Sequence, residues 1–121
     1  MNPKELKKLV AEQIDNYLES YEVPEPGSTY GTAWSAEKVL FELNEMRKHV
    51  CDPYLFEFHD YQTSLSEKAE VKECWVVADD GFYKMFFDHI SGEFVLAQQG
   101  ENGHWCSWGI RGNAIDVFLS R

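Results

Sequence analysis

The sequence predicts one α+β domain, in which two N-terminal helices pack on one face of a four- to five-stranded antiparallel meander sheet and a short C-terminal helix follows. Apolar residues recur at helical spacing before residue 50 and at alternating positions after it. Short turn sequences separate the alternating segments, and antiparallel strands need only such short connections. A chain of 121 residues has the length of one domain, so we expect a single unit over residues 1–121.

The first predicted helix has a clear N-terminal signal. Asn2 is a favourable N-cap, Pro3 suits the first helical position, and Glu5 stands three residues after the cap. Apolar side chains then recur with the period of a helix and predict its buried stripe. They are Leu6, Leu9, Val10, Ile14, Tyr17, Leu18 and Tyr21.

Residues 22–34 predict a loop, because prolines and glycines interrupt the helical pattern there. The loop is longer than most connections in compact domains, and long loops are enriched in functional segments. Tyr30 and Trp34 lie in it, and tyrosine and tryptophan are enriched at protein interfaces. Both residues are therefore interface candidates, and the alternative is that they anchor the loop.

A second helix is expected to follow the N-cap candidate Ser35 and to run to about Val50. Asp52-Pro53 ends it, because the residue before a proline avoids the α region. The apolar residues of this segment recur at helical spacing and predict its packed face. They are Val39, Leu40, Leu43, Met46 and Val50.

The second half of the chain alternates between apolar and polar residues, which predicts strands. The last segment is ambiguous: Asn113 can cap a short helix, which we favour, and an edge strand is the alternative. The expected strands cover residues 54–59, 71–78, 82–88 and 93–98, with a fifth at 105–110.

The charge balance restricts the classes of partner. The chain has 11 lysine and arginine residues against 21 aspartate and glutamate residues, a formal net charge of -10. Nucleic-acid affinity depends on neutralising phosphates with basic residues, so we expect no nucleic-acid partner. The same sign of charge disfavours an anionic membrane. An acidic surface favours encounter with basic proteins, so we expect a protein partner or self-association as a homodimer.

The chain has an odd number of cysteines, namely Cys51, Cys74 and Cys106, and none of them belongs to a C-x-x-C pair. This pattern indicates free thiols in a reducing compartment. Residues 1–8 lack the apolar stretch of a signal peptide, and no long apolar run predicts a membrane span, so we expect a cytoplasmic protein. His104 and Cys106 lie two residues apart, but zinc-site spacing is absent. We expect no metal and no cofactor.

The sequence contains neither of the glycine-rich phosphate-binding motifs and no nucleophile elbow, so we expect no catalytic residue. Glu57 and His59 are candidate ligand-binding residues because they share one face of a predicted strand. Arg111 is a third candidate, since it stands beside backbone amides just before the last predicted helix and could hold an anion there.

Tryptophan is the second source of interface candidates. Trp105 and Trp108 have an odd separation, so on a regular strand they face opposite ways and at least one is exposed or lies at an edge. The leading interpretation is a non-enzymatic protein-binding or accessory domain. The alternative is a small enzyme or ligand-binding domain with a pocket between helices and sheet, formed by Glu57, His59, Cys74 and His104.

In size, acidity and helix-then-sheet order, the chain is similar to small bacterial immunity proteins, which neutralise toxins. The resemblance covers these general properties and implies a protein partner. It includes no diagnostic motif, so no residue role follows from it.

Overall fold

The structure is a computed structural model of the chain, and it describes residues 1–23, 34–61 and 67–121. It has the α+β composition that the sequence predicts. Most of the expected loop over residues 22–34, including the interface candidate Tyr30, lies outside the described residues.

Two helices occupy the first part of the chain, α1 (Pro3–Ser20) and α2 (Ala36–His49). The Asn2 side chain caps α1 by accepting a hydrogen bond from the backbone N–H of Glu5 at 2.8 Å. The Ser35 hydroxyl oxygen caps α2 in the same way. Both helices begin where the capping residues predict, because each side chain satisfies an N–H that has no partner within the helix.

Six strands and a third helix complete the described elements. The C-terminal segment is helical, α3 (Ala114–Leu119), and the Asn113 side chain accepts a hydrogen bond from the backbone N–H of Asp116 at 2.9 Å. The predicted short C-terminal helix is therefore confirmed, and the alternative of an edge strand is wrong. The strands are β1 (Val50–Asp60), β2 (Glu70–Asp79), β3 (Tyr83–Asp88), β4 (Glu93–Gln99), β5 (Trp105–Ser107) and β6 (Arg111–Gly112).

The sheet closes on itself. Each of β1 to β4 pairs antiparallel with the next strand along the chain, and β5 returns to β1 as its parallel neighbour. The closing register is His59 opposite Cys106 and Asp60 opposite Ser107. The result is a five-stranded, barrel-like sheet with an inner and an outer surface. We expected a layer with helices on one face; the closing pair joins residues far apart in sequence, so hydrophobic periodicity does not report it.

β5 is shorter than expected. The predicted fifth strand covers residues 105–110, but the observed strand ends at Ser107. Gly109 has a φ of 98°, in the left-handed region that breaks a strand. The chain turns there, and the two-residue strand β6 then pairs with β4. Closure therefore depends on a very short strand.

A small apolar core fills the inside of the closed sheet. Phe58 and Phe86 are fully buried there, with ring centroids 4.3 Å apart. The remaining members come from β2 and β4, and Cys51 and Trp105 pack against them. The full cluster consists of Phe58, Cys74, Val76, Phe86, Val95 and Ala97.

A larger core lies outside the sheet, under the helices. Residues of all three helices pack on the outer sides of β2, β3 and β4, with Leu43 and Val77 among the fully buried members. The helices are amphipathic, and none in the described part of the chain is both long and apolar enough to cross a bilayer. From β1, only Val50 packs against this outer core. Asp52 is still held by Lys7 of α1, whereas Leu55 and Glu57 further along the outer side of β1 are exposed and belong to neither core.

Candidate functional site

The helices leave one side of the closed sheet uncovered, and we call it the open face. Its residues share the outer side of β1 and the beginning of β2, as the register places Glu57 opposite Glu73 and His59 opposite Val71. Residues that flank β5 extend it through ring contacts. The open face consists of Leu55, Glu57, His59, Tyr61, Val71, Glu73, His104 and Trp108.

Two ring pairs occupy the part of the open face between β1 and β5. Tyr61 and Trp108 are stacked, with centroids 6.0 Å apart and planes at 14°. The His59 and His104 rings form the second pair, with their centroids 4.5 Å apart. The Tyr61 backbone N–H donates to the Ser107 carbonyl at 2.8 Å, which holds the stack against the closing pair of strands. Trp108 remains 43% exposed, so a broad aromatic surface faces solvent.

The open face also carries two directly opposed carboxylates. Glu57 and Glu73 form a cross-strand pair, and both are exposed. Like charges opposite one another destabilise a sheet. Among the ion pairs of the described residues, none involves either carboxylate, and the remaining segments contain no lysine, arginine or histidine. The chain therefore presents an acidic pair that it does not neutralise itself.

One end of the barrel interior holds a caged lysine. The Lys84 Nζ donates to Asp79 Oδ2 at 2.5 Å and to the Tyr54 hydroxyl at 2.9 Å. It also lies 4.6 Å from the centroid of the Trp105 ring and 5.2 Å from that of Phe56. Burial opposes the charge on Lys84, but these hydrogen bonds outweigh it and raise its pKa. The lysine is thus held as a cation and is unsuited to act as a nucleophile.

The other end of the interior holds an ion network. Asp60 is 2% exposed and accepts hydrogen bonds from Lys72 Nζ at 2.8 Å and from Arg111 at 3.2 Å. Asp88 lies 3.6 Å from Lys72. The hydrogen bond to Asp60 is the main reason that the pKa of Lys72 is raised. Two basic and two acidic groups compensate one another, and Ser107 is fully buried on the same face of the sheet as Asp60.

In the part of the chain that the structure describes, no cysteine Sγ is hydrogen-bonded to a histidine ring, and Cys51 and Cys106 bond to backbone carbonyls instead. Cys74 lies inside the barrel, and burial is the main cause that raises its pKa to about 11. Burial also raises the pKa of the Cys106 thiol, whose Sγ donates to the His104 carbonyl at 3.6 Å. Such thiols remain protonated at neutral pH. Within the described ranges, no three histidine, cysteine or acidic side chains are arranged to hold a metal ion.

Two grooves lie beside the helices, away from the open face. The larger, of about 390 Å³, is lined by residues of α2 and α3 together with Trp34 and Arg121. The Lys38 ammonium lies 4.3 Å from the centroid of the Trp34 ring at its wall. The second, of about 320 Å³, lies between α1 and α2. Neither groove is lined by Glu57, His59, Cys74 or His104.

The structure separates the residues expected to form an interface. Trp34 is half-buried beside α2, and Trp105 caps Lys84 at one end of the barrel interior. Trp108 belongs to the open face. Trp105 and Trp108 do lie in different surroundings, one on the inner core and one exposed. Their participation in an interface stays a prediction.

The expected ligand-binding residues are divided by the sheet. Glu57 and His59 lie together on the open face. Arg111 pairs in register with Val95, a member of the inner core, and bonds to Asp60 inside the barrel. Arg111 stands just before α3, and its charged partners are the buried aspartates of the ion network, so its role in holding a ligand stays a prediction.

Several residues of the open face were not expected from the sequence. Glu73 and Val71 face Glu57 and His59 only through the β1–β2 register, which spans the long connection between the strands. Tyr61 lies just after the end of β1, and its stacking on Trp108 joins residues that are far apart in sequence. Alternation along each strand predicts on which face of the sheet a residue lies. The register between the strands determines which residues are neighbours on that face.

Comparisons with protein-family models, with curated proteins and with solved structures found no match to this chain. The resemblance to bacterial immunity proteins therefore stays a prediction based on general properties.

Proposed function

We propose that this chain is a non-enzymatic binding domain whose open face engages a basic surface of a partner protein. The observation that carries the proposal is the exposed pair Glu57 and Glu73, directly opposed across β1 and β2. A sheet tolerates such a pair at a cost in stability, which a lysine or arginine from a partner would remove. The net charge of -10 would add to the attraction and speed the encounter.

The aromatic rings give the open face its second property. Tyr61 and Trp108 form a preassembled stack, and Trp108 keeps part of its surface exposed. Large, rigid aromatic side chains dominate the energetics of many interfaces because they bury much area and lose little conformational entropy. A partner that contacts the carboxylates would bury this stack in the same event.

A partner of a different kind is favoured over a second copy of this chain. A twofold dimer through the open face would bring Glu57 and Glu73 of both subunits into one interface. Four carboxylates in a partly desolvated contact would repel one another. A homodimer through this face is therefore the weaker candidate, although the sequence left it open.

The alternative of a small enzyme or ligand-binding domain has less support. Its candidate residues are spread over different surfaces: Cys74 lies inside the barrel, whereas His59 lies on the open face. The grooves beside the helices are lined by other residues. Acid–base or nucleophilic catalysis needs its groups within hydrogen-bond reach of one another or of one substrate atom.

The proposal is tested by capturing partners on the immobilised chain at low and high salt, and then titrating the purified partner. We expect a salt-sensitive partner whose affinity falls about tenfold on Trp108→Ala and on Glu57→Lys. Glu12→Lys, on the exposed side of α1, changes the net charge equally and should leave the affinity within about twofold.

Two outcomes would contradict the proposal. One is a monomer by sedimentation that captures nothing at either salt concentration. The other is a partner whose affinity is unchanged by Trp108→Ala and Glu57→Lys but lost with Glu12→Lys, since that result would place the contact on the helical side.

A further inference from the structure

β1 has a strand on one side along most of its length but a strand on the other side only at its end. β2 pairs with residues 54–60 of β1. β5 reaches β1 only at His59 and Asp60. Among the described residues, the edge from Tyr54 to Glu57 therefore faces no strand. The N–H and C=O groups along such an edge can pair with another chain.

The side chains along this edge are unusually apolar for their exposure. Leu55 is 50% exposed on the outer side, and Tyr54 and Phe56 are 37% and 38% exposed at the mouth of the barrel interior. Exposed edges are commonly protected by lysine, proline or inward-pointing charge. Here Pro53 precedes the segment, and Glu57 is its single charged residue. The edge thus combines unpaired main chain with apolar side chains on both faces.

The carboxylates of Glu57 and Glu73 indicate what kind of strand would pair with this edge. A strand added beside β1 would place one of its side chains next to Glu57, on the same face as Glu73. A lysine or arginine there would relieve the repulsion between the two carboxylates. On the other face, its neighbours would be Tyr54 and Phe56, which suit an apolar side chain. A second copy of this chain would instead add another Glu57 to the same contact.

We infer that the edge of β1 from Tyr54 to Glu57 binds an extended, alternating basic and apolar segment of a partner protein as an added strand. The inference rests on the proposed function and specifies the mode of binding. Main-chain hydrogen bonds supply affinity, and alternate side chains supply selectivity. The added strand would lie beside the part of β1 that precedes its pairing with β5, and it would continue that side of the closed sheet ahead of Trp105, where β5 begins.

The test uses two synthetic peptides of equal composition and charge, one alternating lysine and valine and one with the lysines and valines in separate blocks. We expect the alternating peptide to bind the full chain more tightly. We expect it to slow amide hydrogen exchange within Tyr54–Glu57, because alternate N–H groups of the edge become hydrogen-bonded. Equal binding of the two peptides, or unchanged exchange at the edge, would overturn the inference.

Variants separate edge pairing from general attraction to an acidic protein. Glu57→Lys should weaken the alternating peptide about tenfold, because a favourable neighbour becomes a like charge. Glu12→Lys carries the same change in net charge on α1 and should have an effect of less than about twofold. Equal weakening by both variants would also overturn the inference.

Failure of this inference can be told apart from failure of the proposed function. A protein partner that depends on Trp108 and Glu57, together with peptides that leave the edge unprotected, would retain the open face as a docking surface but exclude strand addition. Protection of the edge by the alternating peptide, with partner capture indifferent to Trp108→Ala, would retain the edge and reject the open face.

Discussion

Asp88 shows how single residues make the barrel interior sensitive to acid. Asp88 is 3% exposed, and its carboxylate accepts a hydrogen bond from the backbone N–H of Ile90 at 3.0 Å. Burial opposes its ionisation, but this bond, a second one from Ser91 and the nearby Lys72 hold its pKa below the usual range. The folded state therefore binds this proton more weakly than the unfolded chain does.

The sign of that difference predicts acid destabilisation. A lowered pKa in the folded state contributes stability above about pH 4, and this contribution is lost as the pH falls through that range towards the folded value. In urea titrations, Asp88→Asn should lower the free energy of unfolding by about 1–2 kcal/mol at pH 7 and should flatten its decline below about pH 4. A decline as steep as in the unchanged chain would contradict this account of Asp88.

At the scale of single residues, the sequence indicates which face a side chain shares but not which distant residues it contacts. Alternation predicted that Glu57 and His59 share a face, and they do. Arg111 stands just before α3, where the sequence predicts a helix start, and its guanidinium lies 3.2 Å from Asp60. That aspartate comes from a strand far away in sequence, so no local pattern around Arg111 could indicate it.

The helices and strands are the level at which the sequence is most informative. Capping side chains and hydrophobic spacing fixed the starts of α1, α2 and α3, since those signals act within a few residues. β2, β3 and β4 begin and end within one residue of their expected bounds. β1 is longer than expected and includes Pro53 beside an irregularity in its pairing with β2.

Gly109 offers a test at the level of one element. Its φ of 98° is unfavourable for any residue with a side chain, and it lies where β5 gives way to β6. Gly109→Ala should therefore lower the free energy of unfolding by about 1–2 kcal/mol. Denaturant titration of the purified variant measures the change.

Gly100→Ala is the matched control. A Cβ at Gly100 would lie 3.4 Å from Asn102 Oδ1 and 3.6 Å from the His104 carbonyl oxygen, and Gly100 has no left-handed φ. We expect its effect to stay within about 0.5 kcal/mol. If Gly100→Ala proved as destabilising as Gly109→Ala, backbone strain would not explain the end of β5.

At the scale of the whole molecule, two apolar cores share the same strands. The inner core and the helix-covered core lie on opposite sides of β2, β3 and β4, so neighbouring residues such as Phe86 and Phe87 belong to different cores. Loss of either core would remove support from both sides of the sheet. We therefore expect helices and strands to unfold in one transition.

Phe86→Ala tests this coupling. The ring is fully buried against Phe58, and its removal should lower the free energy of unfolding by about 3–5 kcal/mol. Circular dichroism of the helices and fluorescence of the tryptophans should still report coincident transitions. Phe82→Ala, at a position 77% exposed, should change the stability by less than about 0.5 kcal/mol. Separate transitions by the two probes would show that the cores are independent.

Closure of the sheet is the feature that could not be predicted from the sequence. It depends on a few pairings between β1 and a strand of three residues, whose composition gives no sign of a parallel neighbour. The open face exists because of this closure, since Tyr61 meets Trp108 and His59 meets His104 across the same seam.

Because β5 is short, its pairings with β1 and β4 are the ones in the closed sheet that would break first. Two register pairs with β1 and two with β4 hold it, whereas six join β3 to β4. The helices rest on the far side, so transient release of Trp105–Ser107 would leave their packing intact. Such an opening would expose more of the unpaired edge of β1. A longer partner segment could then pair with it without unfolding the rest of the protein.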